Sequence, residues 1–141
     1  MASESSRAET GTTARTAGRL VRAGAVALAL SLAVNWAVTF GAIAAGVAPA
    51  LDAMSYEPVT FLTTVGVVGA TLTYGALARV ARNPDRAFAA VAAVVLLLSL
   101  IPDFTVVPSQ PGGSLLAGAV LGVMHVTTAA ICVWALTDVG R

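Results

Sequence analysis

The run "GAVALALSLAVNWAVTFGAIAAGVA", residues 24–48, decides the fold class of this chain. It lies between Arg22 and Asp52 and holds no charged residue. A helix needs about 20 apolar residues to cross the hydrocarbon core of a bilayer, so this run is long enough to span one. The whole composition agrees, since 57% of the residues are hydrophobic, 11% are charged and the mean hydropathy is +0.87. Because a soluble domain carries about a quarter charged residues, we interpret the chain as an integral membrane protein.

Three further apolar segments predict an all-α, four-helix transmembrane bundle. The four predicted spans cover about residues 24–48, 59–78, 87–102 and 115–137. The third is short, because the segment between Arg86 and Asp103 makes only roughly 24 Å of helix against a hydrocarbon core of about 30 Å. Either Arg86 snorkels and the bilayer thins locally, or the span continues through Pro102 to about Val107. The second solution would leave Asp103 in the outer interface, and we favour the first.

The arginines predict the orientation of such a bundle. All 8 cationic residues fall on one side of the four spans. They are Arg7, Arg15, Arg19, Arg22, Arg79, Arg82, Arg86 and Arg141. The loops on the other side hold Asp52, Glu57 and Asp103 and no cation. By the positive-inside rule, we expect a multi-pass protein of the cell (plasma) membrane with both termini in the cytoplasm.

The segment before the first span has a different composition. Residues 1–22 are rich in Ser, Thr, Ala and Gly and lack apolar periodicity, which predicts a disordered cytoplasmic tail. A single four-helix transmembrane domain, residues 23–141, would follow it. Alternatively, the tail ends as a short basic extension of span one, because Arg15, Arg19 and Arg22 share one helix face.

Two other local signals concern the ends of the spans. The stretch "ARNPDR", residues 81–86, predicts a tight hairpin between spans two and three. Ala48 and Ala50 are arranged like a signal-peptide cleavage site, which would make the first span a removed leader. Its apolar run is longer than the usual apolar region of about 7 to 15 residues in such leaders, so we favour a retained span.

Span four carries small and polar residues along one face. Gly118 and Gly122 form a GxxxG pair, and helical spacing continues this face through His125, Ala129 and Cys132. Such a face allows close approach of a second helix. We therefore predict that His125, the only histidine of the chain, points toward another helix.

Span one carries a comparable polar face. Its members are Ser31, Asn35, Thr39, Ala42 and Gly46. Asn35 and His125 both lie near the middle of their spans, and an unpaired amide or imidazole in hydrocarbon is costly. We therefore predict a contact between Asn35 and His125, direct or through one water. Tyr74 of span two is a further candidate for this polar midplane.

The hydroxyl residues of spans two and three predict no polar pathway. Thr60, Thr64 and Thr71 lie in span two, and Ser99 lies in span three. Threonine in a membrane helix usually bonds to a carbonyl one turn earlier in the same helix. We expect these side chains to do the same.

Three roles are open for His125. We favour a neutral, hydrogen-bonded packing residue, and a proton-linked or ligand-binding role is the second choice. Metal or haem ligation is the weakest, because only Cys132 is near in sequence and no carboxylate is expected at that depth. We expect no metal, no cofactor and no nucleic-acid partner. Asp52, Glu57 and Asp103 could form a weak outer cation site, but we expect them to be solvated.

Two stretches resemble a family of small prokaryotic four-pass membrane proteins described only as a domain of unknown function. They are "AAVAAVVLLLSLIPDF", residues 89–104, and "SLLAGAVLGVMHVTTAAICVWAL", residues 114–136. The shared features are an Arg-rich start, an Asn in span one, a short third span ending in Ser-Leu with a proline after it, and the pair Met124 and His125. The resemblance implies four membrane helices and no established activity.

The sequence leaves two hypotheses for function. No catalytic motif is present, so we expect no enzymatic activity and no catalytic residue. We favour an accessory membrane subunit that acts by interaction, with a membrane-protein partner or as a homo-oligomer through Gly118 and Gly122, within the lipid bilayer. The alternative is a small transporter or channel with a polar midplane at Asn35, His125 and Tyr74. The apparent absence of a charged residue well inside any span argues against a proton-driven pump.

Overall fold

The computed structural model describes the backbone of residues 2–139 and the side chains of residues 16–139. Its four helices are α1 (Ala2–Ala44), α2 (Tyr56–Val80), α3 (Pro84–Thr105) and α4 (Leu115–Trp134). Short 3-10 helices follow α1 and α3, η1 at Asp52–Met54 and η2 at Val107–Ser109, and a π-helical turn, Ala135–Val139, follows α4. The described residues form no strand, and the all-α prediction is confirmed. All four helices are long and apolar enough to cross a membrane.

A glycine ends α1 before the predicted boundary at Ala48. Gly46 has φ +69°, a conformation that side chains with a Cβ rarely adopt. The N–H of Gly46 donates to the Ile43 carbonyl at 3.0 Å, and the N–H of Val47 donates to the Ala42 carbonyl at 2.9 Å. These two bonds form a Schellman motif, which satisfies the last carbonyls of the helix.

Helix α3 is longer at both ends than the predicted third span. The Asn83 side chain caps its start by accepting from the Arg86 N–H at 3.2 Å, and Pro84 is its first residue. The predicted hairpin before it is confirmed. The helix then continues through Pro102 to Thr105, and its 22 residues reach about 33 Å, enough to cross the hydrocarbon core. The helix itself therefore follows the second solution, in which the span continues through Pro102, and local thinning of the bilayer is not required by its length.

The start of α1 also differs from the sequence prediction. The helix begins at Ala2 and includes residues 16–22, whereas we predicted a disordered tail for residues 1–22. Ala, Arg and Glu in this segment are strong helix formers, and they extend a helix that the membrane span has already nucleated. The alternative of a basic helical extension fits residues 16–22. The side chains of Arg7, Arg15 and Arg141 lie outside the described residues.

The helices alternate in direction, which gives the bundle two distinct ends. The five described arginines lie at one of them, which we term the arginine end: Arg19, Arg22, Arg79, Arg82 and Arg86. The other, which we term the loop end, contains η1 and η2. Helix α1 packs mainly on α2 and α4, and α3 packs mainly on α4, whereas α2 and α3 contact each other less.

Two apolar clusters form the core, one toward each end. The cluster at the loop end includes Leu51, Met54, Val59 and Met124. The cluster at the arginine end includes Ala23, Ala27, Val67, Phe88, Cys132 and Leu136. Large apolar side chains on the outside of the helices remain exposed, as expected for a surface in contact with lipid; Leu62, Leu72, Leu97 and Leu98 are examples. Buried polar residues lie between the two clusters.

Gly118 sets the distance between α3 and α4. It is buried, and a Cβ at this position would overlap the backbone carbonyl oxygen of Asp103. The two helix backbones therefore touch directly, as small residues permit in membrane helices. At Gly66, by contrast, a Cβ would meet nothing within 4 Å.

We expect Gly118→Ala to lower the free energy of unfolding by about 1–3 kcal/mol, because the added methyl group must separate α3 from α4. Gly66→Ala is the matched control, and it should leave stability unchanged or raise it by up to about 1 kcal/mol, since alanine favours the helix. Thermal unfolding of the purified protein in detergent measures both. Equal melting temperatures for Gly118→Ala and Gly66→Ala would contradict this account of the contact.

Candidate functional site

A polar layer separates the two apolar clusters. Ser31, Asn35 and Thr39 recur every four residues on the inner face of α1, and none of them is more than 3% exposed. Within the part of the chain that the structure describes, the Ser31 hydroxyl, the Thr39 hydroxyl and the Asn35 Oδ1 atom have no hydrogen-bond partner. The layer therefore contains more polar atoms than its own contacts satisfy.

Asn35 joins three helices. Its side-chain Nδ2 donates to Thr63 Oγ1 on α2 at 2.9 Å and to Thr128 Oγ1 on α4 at 3.1 Å. Interhelical bonds of this kind contribute only about 0.6 kcal/mol each in membrane proteins. Their main effect is to fix the register of α1 against its two neighbours.

His125 pairs with Asp103, whereas Asn35 bonds to Thr63 and Thr128. The direct contact that we predicted between Asn35 and His125 is therefore wrong, and a contact through one water stays a prediction. The His125 Nδ1 atom lies 2.9 Å from Asp103 Oδ2 and 3.0 Å from the carbonyl oxygen of Leu121. The Leu121 contact has hydrogen-bond geometry, whereas Asp103 Oδ2 accepts no aligned hydrogen bond from the described residues. The Asp103 carboxyl is thus held at ion-pair distance from the ring of His125.

The Leu121 carbonyl oxygen only accepts, so its contact with His125 is a hydrogen bond when Nδ1 carries a hydrogen. The Asp103 side chain is 6% exposed and that of His125 is 42% exposed, so the imidazole is the more accessible partner.

Asp103 reaches this depth because α3 continues past Pro102. Helical side chains lean toward the start of their own helix. In the antiparallel helices α3 and α4, Asp103 therefore leans toward the arginine end and His125 leans toward the loop end. The two side chains converge between the levels of Gly118 and His125. The expectation that Asp103 is solvated, with no carboxylate near His125, is wrong for this reason.

A cavity of about 630 Å³ lies between α2 and α3, beside this pair. We term it the α2–α3 cavity. Its rim residues Leu62, Val65 and Val95 are exposed on the outside of the bundle, so the cavity opens sideways between α2 and α3. Its walls are mainly apolar. Its polar lining is provided mainly by Asn35, Thr63, Ser99, Asp103, His125 and Thr128.

Two glycines keep the α2 wall of the cavity open. Gly66 and Gly69 line it, and a Cβ at either position would meet nothing within 4 Å. Side chains at these two positions would project into space that a ligand could occupy. Sequence reasoning did not single out this wall, because a glycine in a membrane helix more often marks helix packing.

The structure separates Tyr74 from the other candidates for the polar midplane. The Tyr74 hydroxyl donates to Asp85 Oδ1 at 2.7 Å, and its ring packs edge-on against Phe88 with centroids 5.4 Å apart. Asp85 lies in the first turn of α3, so this contact belongs to the arginine end. The expected role of Tyr74 beside Asn35 and His125 is therefore wrong.

The two glycines of the GxxxG pair contact α3 of the same chain. Gly118 touches the backbone of Asp103, and a Cβ on Gly122 would lie 3.2 Å from Leu100 Cδ2. The pair is therefore occupied within the bundle. A shallow groove of about 290 Å³ runs along the outside of α3 and α4 beside Gly122, Leu100 and Val126. We term it the α3–α4 groove.

The threonines divide into two groups. The Thr60, Thr64 and Thr71 hydroxyls donate to carbonyls four residues earlier, at 2.6 to 2.8 Å, and the expectation for them is confirmed. The Ser99 hydroxyl likewise donates to the Leu96 carbonyl at 2.8 Å. Thr63 is buried and contacts Asn35, which sequence reasoning missed. Its spacing of four residues from Val59 and Val67, both buried, is the signal that indicates an inward position.

Comparison with known proteins gives one match. No curated protein and no solved structure matches the chain. The model of a family described as a family of unknown function (DUF6069) matches residues 15–141, which include most of α1, all of α2, α3 and α4, and every residue of the polar layer. The chain therefore belongs to DUF6069, a family of unknown function.

Proposed function

We propose that the protein is a small, non-enzymatic membrane transporter whose ligand lies in the α2–α3 cavity. The observation that supports this proposal is the cavity itself, which reaches both Asn35 and the pair formed by Asp103 and His125. Its volume of about 630 Å³ is in the range of about 300–1,000 Å³ typical of small-molecule sites. A ligand there would contact lipid-facing walls and the polar layer together.

Buried acceptors support a ligand rather than simple packing. The Oδ1 atom of Asn35 has no partner among the described residues, although Asn35 is only 3% exposed. An unpaired buried acceptor has a cost of about 1–3 kcal/mol, which a hydrogen-bonding ligand would remove. Ionisable residues inside a membrane domain also usually mark a pathway for a substrate or a proton.

Asp103 supports transport, because the sequence predicts no charged residue well inside the spans and the structure buries this one. Asp103 is 4% exposed, belongs to the third membrane-spanning helix and faces His125. A buried titratable pair of this kind has the chemistry that proton-linked transport requires.

We expect transport to depend on open space at Gly66 and on the His125 imidazole. Proteoliposomes are compared with empty liposomes for uptake of three dyes: ethidium, 8-anilinonaphthalene-1-sulfonate and N-phenyl-1-naphthylamine. At least one dye should cross faster with the protein present. Gly66→Leu and His125→Ala should lower that protein-dependent rate by about tenfold or more, equivalent to about 1.4 kcal/mol of lost interaction.

Gly41→Leu is the matched control for Gly66→Leu. Gly41 is also a helical glycine with nothing within 4 Å of an added Cβ, but it does not line the cavity. Its variant should keep the wild-type rate within about twofold, a change of less than 0.5 kcal/mol. No protein-dependent movement of any dye would overturn the transport proposal.

A second candidate function is that of an accessory subunit or a homo-oligomer. The α3–α4 groove favours it, because an exposed groove of about 290 Å³ beside Gly122 is shaped for a side-chain ridge of another helix. The interface with another chain would then be this groove, and not a direct contact through Gly118 and Gly122, since both glycines already contact α3.

We expect Val126→Trp to reduce self-association if that groove is an interface, because the indole would fill it. Val68→Trp is the control, since both valines are 47% exposed and Val68 lies on α2, away from the groove. Chemical cross-linking in liposomes measures the dimer fraction. Equal dimer fractions for the two variants and the wild type would count against self-association through this groove.

For the orientation, we propose the plasma membrane of a prokaryotic cell with the arginine end in the cytoplasm. The exposed arginines at that end and the absence of a described cation in the two loops at the other end support this orientation. In a Cys132→Ser background, a membrane-impermeant maleimide applied to intact cells should label Gln110→Cys and not Arg82→Cys. Both native side chains are exposed and lie outside the four main helices. Labelling of Arg82→Cys in intact cells would reverse the proposed orientation.

A further inference from the structure

We infer that the ligand of the α2–α3 cavity is a lipophilic organic cation and that it binds in exchange for a proton held by Asp103 and His125. This inference rests on the ligand-binding cavity of the proposed function, and it names the class of ligand and the coupling. Three features of the cavity support it: its charge, the protonation chemistry of the pair and the nature of its walls.

The lining of the cavity favours positive charge. Among the described residues that line it, Asp103 is the only carboxylate and none is an arginine. The Oδ1 atom of Asn35 adds a buried acceptor that has no partner among the described residues. Apart from a protonated His125, no described residue of the lining can carry positive charge. When His125 is neutral, an anionic ligand would therefore be repelled by Asp103 in a medium that screens charge poorly.

The pair has room for one positive charge at a time. When Nδ1 of His125 carries the hydrogen that bonds to the Leu121 carbonyl, a second proton enters at Nε2. That proton makes an imidazolium, which compensates the Asp103 carboxylate. When it leaves, the buried carboxylate lacks compensation, which is costly at low dielectric. A cation that enters the cavity compensates the carboxylate again, so the net charge of the site is the same before and after exchange.

The walls of the cavity favour an organic cation over a metal ion. Among the described residues, no group of three or more His, Cys, Asp or Glu side chains is close enough to hold a metal ion. A bare ion would thus lack the six or more oxygen ligands that hard cations such as calcium take. Leu62, Val65 and Val95 instead form an apolar opening toward lipid. A cation whose charge is surrounded by apolar groups matches both the apolar opening and the Asp103 carboxylate.

The titratable groups around His125 are few, which makes the linkage simple. Helix α3 contributes Asp103, and α4 contributes the thiol of Cys132 to the same cavity. The described lining residues of α1, α2, η1, η2 and the loop after η2 include no ionisable side chain, and their polar members are Asn35, Thr63, Thr73 and Gln110. Because linkage is reciprocal, a cation that displaces the proton must bind more tightly as pH rises.

The test uses equilibrium binding to the full chain in nanodiscs of zwitterionic lipid, corrected for empty nanodiscs. The probes are tetraphenylphosphonium, its anionic counterpart tetraphenylborate, and neutral triphenylphosphine oxide. We expect tetraphenylphosphonium to bind at least about tenfold more tightly than the neutral probe at pH 8. Its affinity should fall by up to about tenfold per pH unit on acidification, as one-proton linkage requires. Calorimetry of the wild type in two buffers of different ionisation enthalpy should detect release of a proton.

Substitutions at the pair separate charge from shape. Asp103→Asn should weaken tetraphenylphosphonium binding by at least about tenfold, because the attracting charge is lost. The same variant should change binding of triphenylphosphine oxide by less than about threefold, well under one step of 1.4 kcal/mol. His125→Gln keeps the carboxylate, so cation binding should persist at pH 8. Gly66→Leu should abolish binding of both probes.

The possible outcomes distinguish this inference from the proposed function. If the neutral probe binds as tightly as tetraphenylphosphonium and Gly66→Leu blocks both, the cavity binds ligands and the cation inference is overturned. Cation binding without proton release overturns the exchange. Cation binding with proton release, together with no dye transport in proteoliposomes, supports the inference and overturns the transport function. If none of the three probes binds the wild type, both are overturned.

Discussion

The direct contact between Gly118 and the backbone of Asp103 is the constraint on which the rest of the bundle depends. It holds α3 so close to α4 that the Asp103 side chain comes within 2.9 Å of His125. Helix α1 fills the other side of α4, and α2 packs on α1. Since α3 and α2 are thus each held mainly by a different neighbour, they contact each other less, and the cavity lies between them.

The order of layers along the bundle explains why polar atoms are tolerated at its middle. An apolar cluster lies toward each end, and each keeps water away from the helix contacts near it. Between them, the polar layer connects all four helices. Thr63 contacts Asn35, Asn35 contacts Thr128, and one turn away on α4 His125 contacts Asp103. Because the backbone in this layer is helical, its N–H and C=O groups bond to each other within each helix.

Much of the fold could be predicted from the sequence, because length and hydropathy determine it. Four uncharged runs, the capping Asn83 before Pro84 and Ser114 before α4 indicate the helices and most of their ends. The end of α3 could not be predicted, because a proline followed by a carboxylate normally marks the edge of a membrane span. In this bundle the absence of a side chain at Gly118 leaves space for the backbone of Asp103, and His125 pairs with the Asp103 side chain. The partners of Asn35 likewise could not be predicted, because they depend on how α1 is rotated against α2, and the sequence of one helix does not determine that rotation.

Pro102 has a mechanical consequence for the last turn of α3. Proline has no N–H, so the Leu98 carbonyl lacks its usual donor four residues later, and the ladder of backbone bonds is interrupted just before Asp103. The turn that follows is attached to α4 by Gly118 on its backbone and by His125 on its side chain. A rotation of α4 would therefore carry this turn with it while the rest of α3 stayed in place. The last turn of α3 is therefore coupled more tightly to α4 than to the rest of α3.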